Sequence, residues 1–229
     1  MGISNYVPSS RVSQAGVCTS STRPASPYEG QMIYETDTNR VLVYDNTAWV
    51  MIADTDTPPG MELIKASSFT SSSNMLMQSV FSSTYDNYRI HVNIQSVSAG
   101  TSLFMRLANG STVDASSIYL YGGFISYMGS GILTAINGGG ATTDWLLAVQ
   151  DDTYGYGNTP LVIDVMSPYA SYKTAIFSHG FQPVNPLPYY RHLGGLTSNS
   201  TSYNGFTIIP NSNSFNMTGT IKVFGYRNS

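Results

Sequence analysis

Residues 23–49 read RPASPYEGQMIYETDTNRVLVYDNTAW, and the way this stretch folds back on itself divides the chain. Pro24 and Pro27 hold its start extended, because proline disfavours helical geometry at the preceding residue and supplies no backbone donor. The runs 31–35, 40–44 and 48–52 are rich in β-formers and are separated by Thr36-Asp-Thr-Asn39 and Asp45-Asn-Thr47. Short β-rich runs between Asp, Asn and Thr clusters signal consecutive hairpins, so residues 23–52 are predicted to form a three-stranded meander. So small a sheet is marginal in water unless it packs on something. A cover is therefore expected for Met32, Tyr34, Leu42, Tyr44 and Trp49, either from the rest of the chain or from neighbouring subunits, which makes these residues candidates for a subunit interface.

Upstream, residues 1–22 scatter Ile3, Tyr6, Val7, Val12 and Val17 among small polar residues with no strand or helix period. Such a segment is expected to be an extended arm that orders by lying in a partner's groove. Downstream, residues 53–60 read as a linker. Asp54 and Asp56 have the opening spacing of a calcium loop, but Lys65 stands where the closing Glu is needed, so that site is rejected.

From Met61 to the end, residues 61–229, the text is strand after strand. Tyr88, Ile90, Val92 and Ile94 alternate with Arg89, His91 and Asn93, giving one apolar and one wet face. Leu103, Met105 and Leu107 repeat the pattern, as do Leu161, Ile163 and Val165. Further strands are expected at 61–66, 74–81, 117–121, 131–136, 144–149, 173–178, 204–209 and 217–226, punctuated by Gly- and Asn-rich turns. No stretch has a convincing helical period. The expected fold is all-β: an extended arm and small meander, then an antiparallel β-sandwich for which a jelly roll is the first choice. In the last strand Phe224 and Tyr226 share a face with Lys222, opposite Ile221 and Val223. A strand apolar on both sides is central or meets another subunit, so Phe224 and Tyr226 join the interface candidates.

The quoted stretch resembles a short module near the N-termini of bacteriophage tail-fibre, minor-tail and other virion proteins, in which R-P-x-S-P-Y-E-G-x-x-I-Y-E-T-D-T-x-R-x-L-V-Y-D-x-x-x-W recurs. Arg23, Pro24, residues 26–30, 33–38, Arg40, residues 42–45 and Trp49 fit it. Tyr85-Asp-Asn-Tyr-Arg-Ile90 and Gly219-Thr-Ile-Lys-Val-Phe-Gly-Tyr-Arg227 are similar to the first long strand and the last strand of a β-domain carried by such proteins. The resemblance implies a non-enzymatic virion structural protein, assembled in the bacterial cytoplasm, forming a homotrimer and contacting other proteins of the tail or capsid. On that reading residues 1–22 are the attachment arm, and the sandwich faces the host surface from the tail. The alternative is a capsid decoration protein or head fibre held to the shell by the arm.

Composition narrows the chemistry. Charged residues are 10% of the chain and the net charge is -3, so no electrostatic footprint for nucleic acid is expected. Nor does any apolar run reach membrane-spanning length. The single cysteine, Cys18, excludes an intrachain disulfide and a thiolate cluster. His91, His179 and His192 lack metal-ligand spacing, no Gly-x-Ser-x-Gly elbow occurs, and no cofactor is expected. Asp144, Asp151 and Asp152 are the only local carboxylate cluster for glycan cleavage, an activity for which the chain lacks the length and repeats of depolymerising spikes. Binding to a host-surface glycan fits better, since sugars take an aromatic face and a few fixed polar groups. The candidates are two loops, one carrying Asp151, Asp152, Tyr154, Tyr156 and Asn158, the other Tyr189, Tyr190, Arg191 and His192 after a proline-rich approach.

Overall fold

A computed structural model describes residues 16–54, 60–98, 100–138, 140–150, 159–182, 188–211 and 216–227. The chain is all-β among these residues and falls into two compact units, Met1–Pro59 and Gly60–Ser229.

The first unit is a sheet in the order β1 (Gly16–Cys18), β2 (Met32–Glu35), β3 (Arg40–Tyr44) and β4 (Trp49–Asp54). The hairpins arise as the turn residues dictate. Asn39 and Asn46 adopt positive φ of 51° and 76°, which Asn tolerates better than most residues. Asp45 Oδ1 accepts from the backbone N–H groups of Thr47 (2.9 Å) and Ala48 (2.8 Å), closing an Asx turn. Sequence reasoning expected three strands; the structure has four. Gly16–Cys18 pairs in parallel with β2, Val17 opposite Tyr34, so the last part of the expected arm belongs to the sheet. Three residues are too short for a visible alternation, and their strand character comes from the open edge of β2.

The second unit is an antiparallel sandwich. Its strands are β5 (Met61–Ser72), β6 (Met75–Met77), β7 (Asn87–Val97), β8 (Thr101–Asn109), β9 (Thr112–Val113), β10 (Tyr119–Tyr127), β11 (Leu133–Asn137), β12 (Trp145–Gln150), β13 (Thr159–Met166), β14 (Ala175–Gln182), β15 (Tyr189–Thr197), β16 (Gly205–Pro210) and β17 (Met217–Tyr226). The larger sheet has the order β11-β10-β15-β14-β13-β7-β17-β5; the smaller runs β12-β8-β16-β6, with β9 beside β8. The first strands alternate between sheets and pair with the last ones: β5 and β7 flank β17, while β6 and β8 flank β16. That nesting of chain start against chain end is the jelly-roll feature of the fold; β13, β14 and β15 instead stay in one sheet as a meander.

The alternation read from the sequence sets the core. Tyr88, Ile90, Val92 and Ile94 point inward together with Leu161, Ile163 and Val165, and across from them lie Leu103, Met105, Leu107, Phe206 and Ile208 of the smaller sheet. Each such side chain contributes about 1.5–3 kcal/mol by leaving water. Trp145 on β12 is fully buried and donates its Nε1–H to Leu120 O at 3.1 Å, joining the two sheets. A Cβ at Gly195 would stand 2.6 Å from that nitrogen, so only glycine admits the tryptophan there. Tyr119, also fully buried, accepts from Leu107 N at 3.0 Å and donates to Asp114 O at 2.7 Å.

One expectation fails clearly. Tyr189–His192 is not a loop but the start of β15, an interior strand between β14 and β10. The prolines before it and Gly194-Gly195 within it disguise a strand whose inward residues Tyr189, Arg191, Leu193 and Thr197 are all buried.

Candidate functional site

Strand register, not sequence proximity, assembles the exposed face of the larger sheet. Because neighbouring residues in register share a side, one row across the sheet reads Phe124, His192, His179, Val162, His91 and Lys222. All three histidines of the chain fall on it. The Phe124 and His192 rings stack with centroids 5.5 Å apart, and His192 and His179 stack at 6.2 Å. The next row carries Gly194, Phe177, Asp164, Arg89 and Phe224. Arg89 Nε and Nη2 each donate to one oxygen of Asp164 at 2.7 Å, and Tyr226 OH donates to the same carboxylate at 3.1 Å. Burial pushes the Asp164 carboxyl up, but the hydrogen bonds from Arg89 and Tyr226 outweigh it, and the pKa lies below the usual range. Arg89 is thus neutralised by its own partner.

Between β13, β7 and β17 this face dips into a groove of roughly 530 Å³. Pro160 and Val162 form one apolar wall; His91 and Asn93 form the middle; Thr220 and Lys222 close the third side. In register, Asn93 stands between Pro160 and Thr220, and His91 between Val162 and Lys222. The His91 ring leans on Phe224 at 5.2 Å. Partial desolvation, and then the Arg89 charge, hold the His91 pKa below its ordinary value. No ion pair engages Lys222 among the described residues, and none of the lining residues is acidic. A concave surface with an apolar wall, an amide, a hydroxyl and two nitrogen bases can hold a small polar ligand by one side and its edges.

The residues expected to bind glycan are only partly here. Asp151, Asp152, Tyr154, Tyr156 and Asn158 lie outside the described residues. Tyr190 and His192 are on the exposed face, half-buried, in the row pattern above. Tyr189 and Arg191 point into the sandwich, and Arg191 is 4% exposed, so neither is presented to a ligand on that face. The correction follows from strand alternation: consecutive residues of β15 cannot share a side. Asp144 accepts from Arg106 Nη2 at 3.0 Å.

The attachment candidates Ile3, Tyr6, Val7 and Val12 lie outside the described residues, while Val17 is exposed on β1. Among the interface candidates, Leu42 is already buried within the chain, which removes it from any surface offered to a neighbour. It is paired with Ile33, on the side of the sheet that also carries Glu35. Arg23 Nε donates to Glu35, Ser20 N and Oγ donate to Asp37 at 2.8 and 2.6 Å, and Gly30 N donates to Tyr44 O at 2.8 Å. Met32 remains exposed, Tyr34, Tyr44 and Trp49 are half-buried, and Tyr44 and Trp49 touch ring to ring at 5.4 Å. Val50, Met51 and Ile52 on β4, which the sequence did not single out, are all exposed. Phe224 and Tyr226 are half-buried on the groove side of β17, between β7 and β5.

No protein-family model, no curated protein and no solved structure matches this chain.

Proposed function

We propose that the protein is a non-enzymatic structural component of a bacteriophage virion, tail-associated and trimeric, whose sandwich meets the host surface. What carries this reading is the stretch 23–49. The positions that give its resemblance to virion modules are those that tie the small sheet together. Arg23 pairs with Glu35, Thr38 Oγ1 donates to Glu35 at 2.7 Å, and Asp45 closes the second turn. The stretch is therefore a folded unit whose parts depend on one another. The groove on the larger sheet supplies a surface suited to a saccharide, which agrees with attachment to host glycans.

Immunogold labelling of intact virions with an antibody against the full chain tests the location. Label confined to the tail is the expected result. Label over the head replaces host attachment with shell decoration, and no label on virions overturns the reading altogether.

A further inference from the structure

We propose that the groove between β13, β7 and β17 binds a saccharide bearing an anionic group, with Lys222 and His91 holding the anion and Pro160 and Val162 packing on the sugar's C–H side. This rests on the reading of the sandwich as a host-facing glycan binder and names the class of glycan.

The argument is one of charge and register. The basic side chains beside the groove on β7 and β17 are Lys222, His91 and Arg89. Arg89 is spent on Asp164 through two 2.7 Å bonds. Lys222 has no carboxylate partner among the described residues, and it stands directly opposite His91 on the neighbouring strand. Two nitrogen bases side by side with no acid in the lining make a place for an anion that a neutral hexose leaves unused. Asn93 and Thr220, the next pair along the same two strands, supply an amide and a hydroxyl for sugar hydroxyls. The apolar wall matches the less polar side of a pyranose ring, and the volume of roughly 530 Å³ takes one or two sugar units.

The groups around His91 set a pH dependence. Lys222 and Phe224 face it from β17, Val162 and Asp164 from β13, Arg89 from its own strand and His179 from β14. Desolvation first, then the Arg89 charge, keep the imidazole neutral at neutral pH, and an anion in the groove favours its protonated form. Affinity for an acidic sugar therefore rises as pH falls below the ordinary histidine value of about 6.5.

The test is saturation-transfer NMR on the full chain with glucose, glucuronate and glucose 6-phosphate, which separate a neutral sugar from a carboxylate and a phosphate. Both acidic sugars, or one of them, should bind about tenfold more tightly than glucose, the difference expected for one charge-assisted contact. Lys222→Gln should remove that preference. His91→Gln should remove the growth of the glucuronate preference as pH falls from about 6.5 to 5, a span in which the sugar carboxylate stays ionised. Both side chains lie on the exposed face, and an unchanged thermal midpoint shows that the variants fold. Equal binding of glucose and the acidic sugars overturns the proposal, as does a preference that survives Lys222→Gln, or no binding of any of the three. If the sugars fail but gold labels the tail, the ligand class is wrong and the host-attachment reading stands. If gold labels the head, the attachment reading falls whatever the groove binds.

Discussion

Arg191 shows how much one residue's side of a strand decides. In sequence it stands beside His192 and invites grouping with it; in the fold the two point to opposite faces. Its guanidinium is buried, and its Nε and Nη1 find no acceptor among the described residues. The Tyr189 ring lies 5.7 Å away, with the Tyr127 and Tyr121 phenols contributing to its surroundings. Burial pushes its pKa down, yet guanidinium stays charged in proteins. A buried charge with no carboxylate partner among the described residues is a cost, and replacing buried ionic groups with apolar ones of similar volume is often neutral or stabilising by about 1–4 kcal/mol. Arg191→Met is therefore predicted to leave the thermal midpoint of the sandwich unchanged or raise it, at about 2–4 °C per kcal/mol for a unit of this size. Scanning calorimetry checks this. A fall of more than about 2 kcal/mol, the cost of stranding a buried partner, would mean that the guanidinium is held by acceptors inside the sandwich, the Tyr189 phenol among them.

At the scale of elements, the small N-terminal sheet depends on polar fastening because it has so little apolar area to bury. Glu35 is fully buried, and the Arg23 hydrogen bond, with help from Thr38, holds its carboxyl below the usual range. Asp37 is held down in the same direction by the Ser20 hydroxyl and N–H. A pKa lowered by folding means stability that is fully present above the unfolded-state value of about 4.3 for Glu and is lost as pH falls through the native value. Amide protection of β2 and β3, corrected for intrinsic exchange, should thus hold steady down to about pH 5 and decline below about pH 4. In Arg23→Ala the sheet should lose about 1 kcal/mol at neutral pH, toward the low end for a stranded buried acceptor because Arg23 is partly exposed. Protection that ignores pH in the native chain would show that Glu35 does not fasten the sheet.

The same scale shows what was legible in the sequence. The hairpins of residues 31–52 followed from Asn and Asp turn chemistry, and β7, β8 and β13 from clean alternation. β15 was hidden because Arg191 occupies an inward position and Gly195 makes room for Trp145, so its apolar pattern is broken where packing needs it broken. The groove was half legible: alternation put His91 and Asn93 on the wet side of β7, and Lys222 beside Phe224. That these meet Pro160 and Thr220 depends on cross-strand register between Asn93 and partners 67 and 127 residues further along the chain, which turns and propensities do not encode locally.

At the scale of the whole molecule, the sandwich combines a low-charge surface with a broad exposed sheet face on which Phe124, Phe177 and Leu196 remain partly uncovered near the histidine row. The strand nesting that joins β5 and β7 to β17 keeps that face continuous, since the chain passes between sheets at their ends. Such a face suits a protein that meets an extended surface rather than a single small substrate. If the protein is the proposed host-attachment component, the most direct test is competition: the purified 229-residue chain is added to the candidate bacterial host before the phage, and the adsorption rate is measured. The account predicts saturable binding to the cells and a matching fall in adsorption. Absence of cell binding, together with normal adsorption by virions lacking the protein, would contradict it.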